Sequence, residues 1–190
     1  RNAEGGESRG APMRLHPLHR AGRFFATAFG GGPSAEDTAW ALDHLTDREK
    51  RLFAQMRPSD RAHSIAVARA VERHYESLEL RAPDWVVPAA LLHDVGKTVA
   101  GLGVYGRTVA TLSGWMGGAD MAEQWADTTG FTRKVGLYMQ YPRLGAELLA
   151  LNESDHRVVA WAAEHHLPAE DWTVPAQEAE ILAAADDGRL

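Results

Sequence analysis

Residues 84–97 read DWVVPAALLHDVGK, and this stretch decides the fold. It is apolar almost throughout until His93 and Asp94. A strand competes for Trp85, Val86 and Val87, but Pro88 and the alanines after it favour a helix N-terminus. A helix that is apolar on every side is a buried one, so a central helix is predicted here, with Gly96 at its exit. A carboxylate at the end of such a run costs several kcal/mol unless it is paired, hydrogen-bonded or bound to a cation. Asp94 therefore has a plain reading, an ion pair with Lys97 or a surface helix end, and a functional one, a metal site.

Upstream, residues 59–80, SDRAHSIAVARAVERHYESLEL, follow Pro58 and form a long amphipathic helix. Ile65, Ala68, Val71, Tyr75 and Leu78 make its apolar stripe. Before it, Ser34 has the character of an N-cap, with Glu36 and Asp37 in the first turn of a helix running to about residue 45. Thr46 caps the next helix, with Glu49 at the capping-box position. A further short helix is predicted over residues 15–29, stopped by Gly30, Gly31, Gly32 and Pro33. Residues 1–12, RNAEGGESRGAP, read as a disordered tail or tag, with Met13 a candidate start.

Downstream, residues 104–116, 121–126 and 131–139 are predicted helical, with Gly-Gly and Thr-Thr-Gly breaks. Residues 141–152, YPRLGAELLALN, form another helix. Asn152 is placed as the cap of the following one, with Asp155 in its first turn and Pro168 ending it. Residues 175–187, PAQEAEILAAADD, form the last helix. No alternating strand pattern stands out, and the predicted fold is all-α. The organisation is a tail (1–12), an N-terminal helical extension (13–57) and a main domain (58–190).

Composition narrows the chemistry. The chain has 190 residues, 45% hydrophobic and 24% charged, with a net charge of -6. That is ordinary globular material and not a general basic nucleic-acid binder. It has no cysteine, which removes disulfides, thiolate metal sites and cysteine nucleophiles. Any metal would rest on His, Asp and Glu. No apolar run approaches the roughly 18–20 residues of a membrane span, and a cytoplasmic protein is expected.

A lone histidine on a helix is usually a surface or satisfied core residue, and His16, His19, His44 and His156 stay in that class. His74 lies about 16 Å along the helix from His63, too far to share an ion with it. His165 is different. Val158, Trp161, Ala162 and His165 share a helical face, so His165 points to the core. His166 is rotated about 100° from it. The plain alternative for the pair is capping of terminal carbonyls. Asp186, after Ile181, Leu182 and three alanines, is again a carboxylate on an apolar helix. Trp85, Trp115, Trp125 and Trp161 read as core.

Together, DRAH around His63, LLHDVGK around His93 and Asp94, and AAADD around Asp186 resemble the HD-domain metal-dependent phosphohydrolases. Their pattern is H…HD…D on a helical core, and the resemblance covers residues 58–190. It implies an HD-domain helical bundle in which His63, His93, Asp94 and Asp186 hold a divalent ion: Mn, Fe, Co, Ni, Zn or Mg. Asp94, with two oxygens, is placed to reach a second ion, with His165 and His166 as its other candidate ligands. Lys97 is similar to the phosphate-contacting Lys of the HD-GYP branch. That branch has a His where this chain has Tyr141 before Pro142, and GVYG around Tyr105 is not its GYP signature. Ser59 stands where a Glu is often found. Cyclic-dinucleotide hydrolysis is therefore not expected.

Asp94 and Lys97 are the catalytic candidates, with Lys97, Arg107 and Tyr105 as substrate-binding candidates and Arg133 and Lys134 as further pocket residues. An Arg such as Arg107 is also an ordinary surface residue. The implied function is hydrolysis of a phosphomonoester, nucleotide or phosphodiester by a metal-activated water. The alternative is a non-catalytic HD module that binds a metal or nucleotide for regulation. An HD-like oxygenase with two irons would need more ligands than the chain clearly offers. The implied partner is a small phosphorylated or nucleotide substrate. Neither a membrane nor general nucleic-acid binding is expected, and an oligomer stays open.

Overall fold

A computed structural model describes residues 32–100 and 140–190, with positions 124, 125, 127, 129, 130, 132 and 135 between them. The described residues form helices and connecting turns and contain no strand. In chain order these are α1 (Ala35–Asp43), α2 (Asp47–Gln55), α3 (Pro58–Ser77), α4 (Val86–Leu92), α5 (Lys97–Ala100), α6 (Tyr141–Leu151), α7 (His156–Glu164) and α8 (Ala176–Asp186). The predicted helices over 15–29 and 104–116, most of those over 121–126 and 131–139, and the tail over 1–12 lie outside the described residues.

α4 is the hub. Every residue from Val86 to Leu92 is buried, and the helix packs against α2, α3, α7 and α8. Fully buried side chains such as Leu91 and Leu92 each contribute about 1.5–3 kcal/mol over an exposed position. α3 lays Ile65, Ala68, Val71 and Tyr75 into the same core. Leu78, expected on that stripe, is 49% exposed, because the helix ends at Ser77 and Leu78 is already its C-cap. Ala41 of α1, Leu45 after it, and Leu52 and Phe53 of α2 belong to the core cluster as well. Trp85 and Trp161 are core residues as expected.

The caps follow side-chain chemistry. The Ser34 side chain accepts a hydrogen bond from the Asp37 amide, and Thr46 and Glu49 form the complete capping box. At α7 the structure corrects the expected cap. Asp155 is the N-cap, accepting from the Arg157 amide, whereas Asn152 ends α6. The reason is donor and acceptor type. Asn152 Nδ2 donates to the Leu148 carbonyl, and the carboxylate of Asp155 suits free amides at a helix start.

Two devices place the helix ends that matter. Beyond α7, Trp172 Nε1 donates to the Glu164 carbonyl, and the Glu164 carboxylate accepts from the Thr173 amide and hydroxyl. The loop is thereby tied back to Glu164, the last residue of α7 and the neighbour of His165. At the other side α6 starts directly against the turn that carries His93 and Asp94, through close contact of Gly96 with Gly145.

Candidate metal centre

Four segments converge. α3 brings His63, the exit of α4 brings His93 and Asp94, the last residue of α8 is Asp186, and the C-terminal end of α7 brings His165 and His166. One ligand atom from each of His63, His93 and Asp94 lies within 4.8 Å of the other two, and this cluster could hold a metal ion. Asp186 Oδ1 lies beside it, 2.9 Å from His63 Nε2 and 3.7 Å from His93 Nε2. The centre is well enclosed: the side chains of His93 and Asp94 are each 3% exposed and that of Asp186 is 28% exposed.

His93 carries the chemical argument. Its Nδ1 lies 2.9 Å from the Ala90 carbonyl, which can only accept, so the ring proton is on Nδ1. With Nδ1 so occupied, Nε2 is the ring atom left to ligate, and it faces inward. That atom is buried, makes no hydrogen bond, and faces Asp94 Oδ2 at 3.5 Å and Asp186 Oδ1 at 3.7 Å. A lone pair set against two carboxylates is an arrangement that a cation resolves. The Ala90 carbonyl orients the ring as carbonyl partners of ligating histidines do.

His165 repeats the pattern. Its Nδ1 lies 3.2 and 3.1 Å from the Trp161 and Ala162 carbonyls. Its Nε2 is 3.9 Å from Asp94 Oδ1 and 3.4 Å from the Tyr141 hydroxyl. Burial, with His93 and His166 beside it, pushes the His165 pKa down to about 3, so the ring is neutral near pH 7. Burial pushes Asp94 up, but His93, Lys97, His165 and His63 outweigh it and hold the carboxyl well below its ordinary range. Burial also opposes ionisation of Asp186, but the hydrogen bond from His63 and the imidazole of His93 beside it hold its carboxyl low. Anionic carboxylates and neutral imidazoles are the forms that ligate metals.

The plain alternatives are present in the same atoms. Lys97 Nζ contacts Asp94 Oδ2, the ion pair that a non-functional reading expects, and the His165 ring does meet terminal carbonyls of α7. Neither accounts for His93 Nε2. Tyr141, read from sequence as a missing histidine, has its hydroxyl on His166 Nε2 and beside His165. Its signal was an aromatic hydroxyl at the first position of a helix, just before Pro142. Tyr105, Arg107, Arg133, Lys134 and Trp115 lie outside the described residues. A surface cleft of about 460 Å³ lined by His44, Tyr75, Leu80 and Pro83 is elsewhere. It sits at the C-terminal end of α3, about 18 Å along the helix from His63.

No family model, curated protein or solved structure matches the chain. Among the described residues, no helix is long and apolar enough to cross a membrane.

Proposed function

We propose that this chain is a metal-dependent phosphohydrolase of the HD type, acting on a small phosphomonoester, nucleotide or phosphodiester. The observation that carries the reading is the buried Nε2 of His93, held by Ala90 to face Asp94 and Asp186. His63, His93, Asp94 and Asp186 would hold a divalent ion, one of the Mn, Fe, Co, Ni, Zn or Mg group, with His165 and His166 at the edge of the same centre. The donor set is imidazole and carboxylate, which suits these ions. When bound, such an ion supplies a strong nucleophile from water at neutral pH and offsets charge on a phosphoryl group.

The protein's own residues do the rest. Lys97, with its side chain 17% exposed beside Asp94, would donate to a phosphoryl oxygen and position it. Asp94 and Asp186 keep the centre anionic, so that a cation is drawn in. The buried wall of His93, Asp94 and His165 excludes bulk water from one side. A cytoplasmic location and a nucleotide-like substrate fit this reading.

A regulatory module that binds a metal or nucleotide without turning it over is the second reading. The Lys97–Asp94 ion pair favours it, because a resting scaffold would keep that pair permanently. Turnover of p-nitrophenyl phosphate and bis(p-nitrophenyl) phosphate with Mn or Co, followed by a nucleotide panel, separates the two. Hydrolysis that chelator abolishes and added metal restores supports the enzyme. Stoichiometric metal with no turnover of any phosphoester supports the module.

A further inference from the structure

We infer that Lys97 and Tyr141 stand where a second cation would otherwise sit, so that the centre takes one ion. The inference rests on the reading that His63, His93 and Asp94 hold a cation, and it fixes how many.

The groups available to a second ion are Asp94, His165 and His166. Both histidines are engaged through Nε2, and Asp94 is engaged at one oxygen. Asp94 Oδ2, which faces His93 Nε2 at 3.5 Å, is in contact with the Lys97 ammonium, while Oδ1 faces His165 Nε2 at 3.9 Å. His165 keeps its proton on Nδ1, against the Trp161 and Ala162 carbonyls, and offers only an Nε2 lone pair. The Tyr141 hydroxyl lies 3.4 Å from that atom and is also hydrogen-bonded to His166 Nε2. A phenol has one proton and can donate once. The arrangement that satisfies all three groups has His166 Nε2–H donating to the phenol oxygen and the phenol O–H donating to His165 Nε2. Neither Nε2 then has a lone pair left for a metal, and of the two rings His166 alone keeps one, on Nδ1.

Charge points the same way. Lys97 Nζ lies 4.9 Å from the centroid of the Tyr141 ring, so ammonium, phenol and both histidines share one small space. A dication placed on Asp94 beside His165 would stand next to a fixed positive charge, and like charges in a poorly solvated site repel strongly. The ammonium already supplies the positive charge, and the hydroxyl already supplies the partners for both rings. Tyr141 is itself buried, with 7% exposure, and is anchored at the start of α6 by the Gly96–Gly145 contact. It is not a side chain that swings away readily.

The test is metal stoichiometry with Mn²⁺ alone, by equilibrium dialysis and metal analysis on the full chain, with electron paramagnetic resonance to distinguish isolated from paired ions. The wild type is expected to hold about one Mn²⁺ with an isolated-ion spectrum. His166→Ala is expected to leave that count unchanged and the affinity within about twofold. The double variant Tyr141→His with Lys97→Ala, checked for folding by circular dichroism, is expected to take up a second ion with an exchange-coupled spectrum. Adding His166→Ala to it should remove that ion. Two ions in the wild type, or the loss of one ion in His166→Ala alone, overturns the inference while leaving the metal-centre reading intact. So does a folded double variant that still holds one ion. No Mn²⁺ bound to the wild type overturns both. If the double variant does not fold, the wild-type count and the His166→Ala comparison still decide the matter.

Discussion

Gly96 and Gly145 pack backbone against backbone. A Cβ on Gly96 would lie 1.9 Å from the Tyr141 carbonyl oxygen and 2.7 Å from the Gly145 amide nitrogen. A Cβ on Gly145 would lie 3.0 Å from the Gly96 amide nitrogen. The turn that follows His93 and Asp94 is thus pressed onto the first turns of α6, and this sets the distance from Lys97 to Tyr141. The two positions are not equivalent. Gly96→Ala puts a methyl group into main-chain atoms that cannot rotate aside, and a loss of about 3 kcal/mol or more is expected. Gly145→Ala meets a tight contact but gains about 1 kcal/mol of helix propensity inside α6, so its net effect should stay within about 1 kcal/mol. Urea unfolding of both variants checks the order. Equal losses would show that the backbone contact is not what joins α6 to the turn.

Asp94→Asn should be far more damaging than His165→Ala or His166→Ala. Asp94 is 2% exposed and sits between the imidazoles of His93 and His165, with Lys97 on one oxygen. Removing its charge lowers cation affinity and water activation together. The loss should exceed the roughly 10–100-fold cost of removing a residue that only orients a ligand. Metal content and phosphoester turnover, measured on the same preparations, give the comparison. A His166 variant as inactive as the Asp94 variant, with its first ion still bound, would mean that both metal positions are needed.

Much of this was legible in the residues because the physics is local. Thr46 and Glu49 announce a capping box by spacing alone, and the unbroken apolar run from Trp85 to Leu92 can only be a buried element. His63, His93, Asp94 and Asp186 stand out as polar groups at places where apolar ones are cheaper. The role of Tyr141 was not legible. Its meaning depends on which groups the tertiary fold brings to its hydroxyl, 24 and 25 positions away in sequence. Asn152 was misplaced because Asn and Asp share a preference for helix starts, and only the carbonyl in reach of its amide shows that it closes α6 instead. The Gly96–Gly145 contact escaped for the same reason as Tyr141: it joins distant stretches of chain.

Lys97→Ala tests the division of labour within the centre. If Lys97 positions a phosphoryl oxygen, the variant should keep its metal while KM for a phosphoester rises and kcat/KM falls, by about tenfold or more for one charge-assisted hydrogen bond of roughly 1.5–3 kcal/mol. If Lys97 only neutralises Asp94, the variant should change stability and leave kcat/KM unaltered. Lys97→Arg adds a discriminating arm. A guanidinium retains the charge but presents a planar fork in place of a compact ammonium. Partial recovery of stability without recovery of KM would therefore point to a positioned contact with substrate.

The last prediction concerns acid and the buried imidazole of His165. Its pKa in the folded protein is pushed from 6.5 to about 3, chiefly by burial, while the unfolded chain titrates near the ordinary value. Between those values the unfolded state carries a proton that the folded state refuses, so falling pH favours unfolding. The contribution is complete above about pH 6.5 and is lost progressively as the pH drops towards 3. Its slope for one proton is at most about 1.4 kcal/mol per pH unit. His166, also lowered by burial, adds in the same direction. Asp94 and Asp186 are carboxylates with lowered pKa values, so their contribution is lost only at more acid pH, below their unfolded value near 3.8. The window between about pH 6.5 and 4.5 therefore isolates the histidines. Urea unfolding of chelator-treated protein across that window should show stability falling with acid. His165→Gln should flatten the dependence, whereas Asp155→Asn should not. The Asp155 pKa is lowered to about 2 by its hydrogen bond from Arg157, which places its effect outside the window. A flat wild-type profile, or one that His165→Gln leaves unchanged, would mean that His165 is protonated in the folded protein and is not a neutral donor facing Asp94.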